Sequence, residues 1–264
     1  AISSAQRDSS GVSRISGIFR KGGIHIFHFA YKANAPEDRL LKIGDFVLSL
    51  SMPYSAGVFF LVMKLKPPKI IRHLFPSLIW EIDDPEGVFL TFDDGPTPGI
   101  TEWILSTLDK YDAKATFFVL GKNVEMYPDL YKRILDAGHK VGNHTYSHQK
   151  GWGMSLERYT EDVDFANDLI HSELFRPPYA RITPAQARFL GQRYKLVMWD
   201  VLSRDYSRSL SPRKCLKNVT KHLEPGAIVV FHDSEKSFRN MRYALPRTLD
   251  KIRKLGLKCK TIEL

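Results

Sequence analysis

The chain has 264 residues, 43% hydrophobic and 26% charged, with a formal net charge of +10 from 39 Lys and Arg against 29 Asp and Glu. That composition excludes the disordered and fibrous classes and leaves room for one α/β barrel, or for one domain with an extension. The positive charge suits an anionic polymer or a membrane surface, but the basic residues are spread along the chain without a nucleic-acid-binding motif, so no nucleic-acid partner is expected.

Residues 1–45 open on a Ser-rich polar segment without periodicity, and little order is expected there. From Phe46 to Met63 no charged residue occurs, with Lys42 and Lys64 on either side, a length near the minimum for a transmembrane helix. Pro53, Gly57 and the serines at 49, 51 and 55 weigh against spanning. The run therefore reads equally as a membrane anchor or as a loosely packed or non-native extension. Met63 is itself a plausible start, which divides the chain into an extension, 1–63, and a working domain, 64–264. An anchor would place the protein at the cell envelope; a working protein beginning near Met63 would be cytoplasmic.

Residues 64–87, basic and Pro-rich and then aromatic, suggest a strap across a barrel end. A regular alternation follows. Val88 to Phe92 reads as a buried strand, Thr101 as the cap of a helix bearing Ile104, Leu105 and Leu108, and Ala115 to Leu120 as a strand. Val124 to Ala137 is an amphipathic helix ended by Gly138, and a short strand then leads into Asn143. Ser155 opens a helix, Leu174 to Arg176 is a strand, and Thr183-Pro184 starts another helix. Lys195 to Val201 is a strand, Ser211-Pro212 caps a helix through Leu223, and Ala227 to Phe231 is a strand. A helix over 245–255 and a strand over 257–262 complete the count. About seven strands alternating with helices imply a parallel sheet, closed as a barrel or doubly wound. Cys215 and Cys259 have no metal-ligand spacing and read as buried, unpaired thiols.

Polar residues fall at the C-terminal ends of four of these strands, where α/β folds place their chemistry. Asp93 and Asp94 stop the first apolar run just before the Gly95-Pro96 turn. His144 and His148 stand four apart, a spacing at which one helical turn aims both imidazoles at one point. Two histidines and a carboxylate suit a zinc-like ion with positions left open, and either Asp93 or Asp94 offers the carboxylate. Arg176 follows its strand into Pro177-Pro178-Tyr179, where two prolines hold the chain extended. His232 ends the run Val229-Val230-Phe231.

This ordered set, Thr91-Phe-Asp-Asp-Gly-Pro96, His144-Thr-Tyr-Ser-His148, Arg176-Pro-Pro-Tyr179 and the His232 strand, resembles the polysaccharide deacetylases with a NodB-homology domain, carbohydrate esterase family 4. The resemblance covers about residues 67–264 and implies a distorted (β/α) barrel. It also implies that Asp93 is the general base, oriented by Arg176, and that Asp94, His144 and His148 ligate a divalent metal, zinc or otherwise cobalt, iron or nickel. Tyr179 would offer its backbone N–H to an oxyanion, and His232 would be the general acid. The implied reaction removes N-acetyl groups from a glycan such as peptidoglycan or chitin; the alternatives are a small-molecule amidohydrolase and a carbohydrate-binding relative with weak turnover.

One motif departs from the family. Where Asp-x-x-Asp-Trp is usual, this chain reads Leu202-Ser203-Arg204-Asp205-Tyr206, so the aspartate expected to tune His232 is Leu202, and Tyr206 stands in for the tryptophan. Asp200 shares the strand face of Leu202 by parity and is slightly favoured as the replacement; Asp205, which Arg176 could equally hold, is the other candidate.

Overall fold

The computed structural model describes residues 77–264 in full. Before them it describes only the backbone of six strands, at Ser3–Arg7, Val12–Arg20, Ile24–Lys32, Leu40–Ile43, Phe46–Ser49 and Phe60–Val62. The first three pair antiparallel with one another, as do the last three. Strand thus occurs before residue 45, where the sequence suggests little order. Apart from two of these strands, the membrane anchor expected over 46–63 lies outside the described residues, as does the first part of the strap, 64–76. Among the described residues no helix is long and apolar enough to cross a membrane. The chain divides into two units, residues 1–62 and 63–264.

The second unit holds a nine-stranded sheet. Its strands are β1 Leu78–Ile79, β2 Gly87–Asp93, β3 Thr116–Val119, β4 Lys140–Asn143, β5 Leu174–Phe175, β6 Lys195–Val197, β7 Val201–Leu202, β8 Ile228–His232 and β9 Lys258–Cys259. They lie in the order β7-β8-β2-β3-β4-β5-β6-β1, with β9 beside the start of β2, and every pairing is parallel. An antiparallel bridge from Glu81 to Ala227, and the Ile82 N–H on the Gly226 carbonyl, tie the chain beyond β1 to the start of β8. The sheet is curled into a distorted (β/α) barrel.

Around it run α1 Ile100–Asp109, α2 Gly121–Met126, α3 Pro128–Asp136, α4 Leu156–Ile170, α5 Pro184–Leu190, α6 Pro212–Thr220 and α7 Glu235–Lys254. Helices outside the barrel and side chains filling its interior explain why β2 is buried at every position, as parallel strands are. Phe92, one residue before the C-terminal end of β2, stacks on Phe117 of β3 at 5.0 Å and on Phe231 of β8 at 6.1 Å. Each such ring contributes roughly 1.5–3 kcal/mol by leaving water, and the three lock the strands that carry the chemistry.

Several boundaries differ from the sequence reading, for local reasons. The expected strap yields β1, and Trp80 after it is buried in the core. The strand expected over 195–201 is two strands, with residues 198–200 between them. The helix expected over 124–137 breaks at Tyr127 (φ −132°, ψ 58°), because Pro128 cannot donate a hydrogen bond and drives its predecessor out of helical backbone. Ser155, Thr183 and Ser211 cap as expected, each side chain accepting an N–H of the first turn. Thr101 does not cap α1; it lies inside it, and Glu102 accepts the Gly99 N–H instead. The last helix, expected over 245–255, begins at Glu235 instead, and α7 runs through Pro246. The buried face of Met241, Ala244, Leu245, Leu249 and Ile252 outweighs the one backbone bond that proline forfeits. Cys215 is buried as expected, whereas Cys259 is partly exposed; both are free thiols.

Candidate active site

Because all strands of the barrel are parallel, their C-terminal ends share one face, and Asp93 (β2), His144 (after β4), Arg176 (after β5), Asp205 (after β7) and His232 (β8) all emerge there. Asp93 and His232 are register partners on neighbouring strands.

Asp93 is held by a buried cation. Arg176 has no exposed surface, and its Nη1 donates to Asp93 Oδ1 and to Thr91 Oγ1, each at 2.7 Å. Its Nε and Nη2 donate to the carbonyls of Val197 and Met198, and its guanidinium lies 4.0 Å from the Phe118 ring centroid. Burial disfavours the charged guanidinium, lowering its pKa, while Asp93 opposes that shift. Arg176 therefore turns towards Asp93, and Asp205 is held elsewhere.

Asp94 is the next residue, and its left-handed backbone (φ 82°) turns its side chain to a different partner set. His148 Nε2 and His144 Nε2 lie 3.2 and 3.8 Å from Asp94 Oδ1. The helical turn expected to bring the two imidazoles together is absent. They converge from a loop in which Thr145 (φ 67°) and His148 (φ 61°) take left-handed backbone, supported by the Thr145 N–H on Asn143 Oδ1 and by Ser147 on Asp162.

The donor chemistry fits a cation. His144 Nδ1 lies 2.7 Å from the Arg176 carbonyl; a carbonyl only accepts, so Nδ1 carries the proton and Nε2 turns its lone pair toward Asp94. Burial pushes the His144 imidazolium down to about 4, so the ring is neutral near neutral pH. Burial opposes ionisation of Asp94, yet the imidazoles of His148, His232 and His144 hold its carboxyl well below the usual range. Its Oδ1 is buried without a hydrogen-bond partner. Lone pairs and a carboxylate oxygen gathered within 4.8 Å repel one another unless a positive ion lies among them, and two imidazoles with one carboxylate are the donors of a zinc-like ion.

His232 has a different environment. Its Nδ1 lies 2.8 Å from Asp205 Oδ1, its backbone N–H donates to Asp205 Oδ2 at 2.8 Å, and the Tyr206 ring meets it edge-on at 4.9 Å. Burial would lower its pKa, but the Asp205 charge and hydrogen bond outweigh burial and raise it to about 9. The carboxylate on this imidazole is Asp205, not the favoured Asp200, which is buried next to β7. The parity argument fails because Arg204 takes left-handed backbone (φ 58°), so the chain turns back at the residue before Asp205.

Tyr179 also has left-handed backbone (φ 59°); its side chain is 60% exposed, stacks 4.7 Å from His148 and places its hydroxyl 3.2 Å from His148 Nδ1. Three supports are missed in the sequence reading. Thr91 bridges Arg176 to the Val229 carbonyl, Asn240 donates to the Asp205 carbonyl, and Asp233 accepts from Thr101 Oγ1 at 2.6 Å. A Cβ on Gly95 would collide with that Asp233 carboxyl, which is why a glycine follows the two aspartates. Only Asp233 carries a sequence signal, its place directly after His232.

The mouth of the parallel barrel thus gathers the Asp93–Arg176 pair, the Asp205–His232 pair and the Asp94, His144 and His148 cluster. The sequence matches the polysaccharide deacetylase family over residues 82–195. Two peptidoglycan-N-acetylglucosamine deacetylases of Bacillus cereus are similar to it. One is 32% identical over 192 residues, covering 69% of this chain and 90% of the relative; the other is 36% identical over 160 residues, 56% of each. A crystal structure of a peptidoglycan N-acetylglucosamine deacetylase superposes with a TM-score of 0.67 at 28% identity, covering 70% of this chain and 91% of that one. The chain belongs to the polysaccharide deacetylase family. It spans little more than half the length of one of these relatives.

Proposed function

We propose that this protein hydrolyses the acetamide of N-acetylglucosamine-type residues in a cell-envelope glycan of the peptidoglycan class, releasing acetate and leaving a free amine. The observation that carries this reading is the opposition of two differently tuned groups on neighbouring strand ends: Asp93, anchored by Arg176, and His232, kept protonated by Asp205. The names of the relatives support the substrate class.

In this scheme Asp93 accepts a proton from the water whose oxygen bonds to the acetyl carbon. His232, with its pKa raised to about 9, is protonated at neutral pH and gives its proton to the nitrogen as the C–N bond breaks. The Tyr179 backbone N–H donates to the oxyanion; one such donor is worth on the order of 100- to 1000-fold in rate. Asp94, His144 and His148 would hold a divalent cation, zinc before cobalt, iron or nickel, which when bound supplies Lewis-acid polarisation of the carbonyl and acidification of water. Arg176 pairs with Asp93 and keeps it aimed.

A polymer suits this mouth better than a small amide. Asp94, His148 and His232 all keep some solvent exposure, and Tyr179 stands out at the rim, so among the described residues none closes over the site. The test is paired measurement of acetate and free amine from peptidoglycan fragments and chitin oligomers. Equal release of both products is expected; turnover confined to small amides would replace the reading.

A further inference from the structure

The helix α7 starts three residues after His232 and carries a basic face away from the catalytic mouth. Lys236 lies 5.6 Å over the ring of Tyr206, whose edge meets His232. Farther along, Arg239, Arg242 and Arg247, with Phe238, Tyr243 and Glu235, line a cleft of about 750 Å³ that α7 shares with the start of α6. From Lys236 to Arg247 the helix advances about 16 Å, and the spacing through Arg239 and Tyr243 keeps these residues on one face.

Two features mark this face as built for an anion. Arg242 is packed 5.9 Å over Phe238, and Arg247 lies 3.8 Å over Tyr243 while donating to the Tyr243 carbonyl, so the aromatic rings hold the guanidinium groups. Among the described residues, Arg239, Arg242 and Arg247 make no salt bridge within 4.0 Å, although Arg133, Arg193 and Arg253 elsewhere on the surface do. Three exposed guanidinium groups share the lining of the cleft with a single carboxylate, that of Glu235 at the start of the same helix. Guanidinium forks match the two-oxygen edge of a carboxylate.

We infer that this cleft is a secondary binding site for the carboxylate-bearing stretch of the same glycan whose N-acetyl group occupies the catalytic mouth. The inference rests on the proposed glycan specificity, and it adds that the polymer is acidic and runs from Tyr206 along α7. Beyond the reacting sugar, the carboxylates carried by the strand's stem peptides lie against Arg239 and Arg242. Short neutral oligomers gain nothing from the cleft.

The test compares wild type, R239Q/R242Q, R239K/R242K and the remote surface variant R158Q. Co-sedimentation with insoluble peptidoglycan, whose stem peptides carry free carboxylates along the strand, reads binding without turnover. Kinetics on solubilised peptidoglycan strands and on neutral chitin oligomers read the kcat/KM ratio. Losing two exposed charge contacts is expected to weaken binding about tenfold at low salt and to lower that ratio by a similar factor. The Lys variant should lose less, R158Q nothing, and high salt should erase the difference. Unchanged binding in R239Q/R242Q, an equal loss in R158Q, or tighter Arg-dependent binding to inorganic polyphosphate or to anionic phospholipid vesicles would overturn the inference. Arg-dependent binding by a protein that releases no acetate from either substrate would reject the proposed reaction and leave the cleft assignment standing. Acetate release with no Arg dependence would do the reverse.

Discussion

Asp205 engages His232 twice, with one carboxylate oxygen 2.8 Å from the imidazole Nδ1 and the other accepting the backbone N–H at 2.8 Å. The double contact fixes the ring plane and leaves Nε2 for the substrate. It also sets the pH dependence. A histidine whose folded pKa is raised contributes stability that is complete below the unfolded value of about 6.5 and is lost as pH rises through about 9. Activity that needs the protonated ring follows the same limb.

In Asp205→Asn the alkaline limb of kcat/KM is therefore expected to move from about 9 to well below it, with a rate loss on the order of 100-fold at neutral pH. Leu202→Asp should leave that limb in place and destabilise the fold instead, because Leu202 is only 6% exposed and a carboxylate there would be buried. A limb restored by Leu202→Asp in the Asp205→Asn background would show that position 202 tunes His232 after all.

The residues of this site were legible in the sequence because four strand ends each carried an unusual polar residue after an apolar run. What was not legible is which partner each one meets. Asp200 and Asp205 can be ranked by parity only while the backbone stays extended, and the left-handed Arg204 reverses it. The spacing of His144 and His148 correctly suggests convergence but for the wrong backbone, since left-handed residues in a loop do the work of a helical turn. Asp233 stands directly after His232, but its contact with Thr101 of α1, like the reach of Asn240 from α7, is a tertiary relation that no local pattern encodes.

Arg176 sits in a fully buried network with Asp93, Thr91 and two carbonyls. Arg176→Met leaves the Asp93 charge without its cation and is expected to cost about 3–5 kcal/mol of stability. Arg176→Lys, lacking the fork, should recover part of that and little of the activity. Urea unfolding measures the first effect and acetate release the second; a fully stable Arg176→Met would mean that the Arg176–Asp93 pair contributes nothing to folding.

Burial raises the Asp233 carboxyl to about 8, with Thr101 opposing the shift. Its raised pKa makes the native state bind an extra proton, so stability falls as pH rises from about 4 through about 8. Asp233→Asn removes that ionisation while keeping the shape. The variant should melt at a higher temperature than wild type above pH 8 and approach it in acid, whereas parallel melting curves across pH would mean that Asp233 is already charged.

Metal content is a separate readout of the Asp94, His144 and His148 cluster. Zinc bound per chain, determined by elemental analysis, should fall at least tenfold in His148→Ala. Chelation should abolish turnover, and added Zn²⁺ or Co²⁺ should restore it in wild type only. Undiminished metal in His148→Ala would place the ion elsewhere.

The most direct measurement is acetate release from peptidoglycan fragments by zinc-loaded wild type and Asp93→Asn, with metal content determined on the same samples. Wild type should release acetate and amine in equal amounts, and Asp93→Asn should keep its zinc while turning over on the order of 100- to 10,000-fold more slowly. Acetate release by Asp93→Asn at the wild-type rate, or none from zinc-loaded wild type, would contradict the assignment of this site as a deacetylase centre.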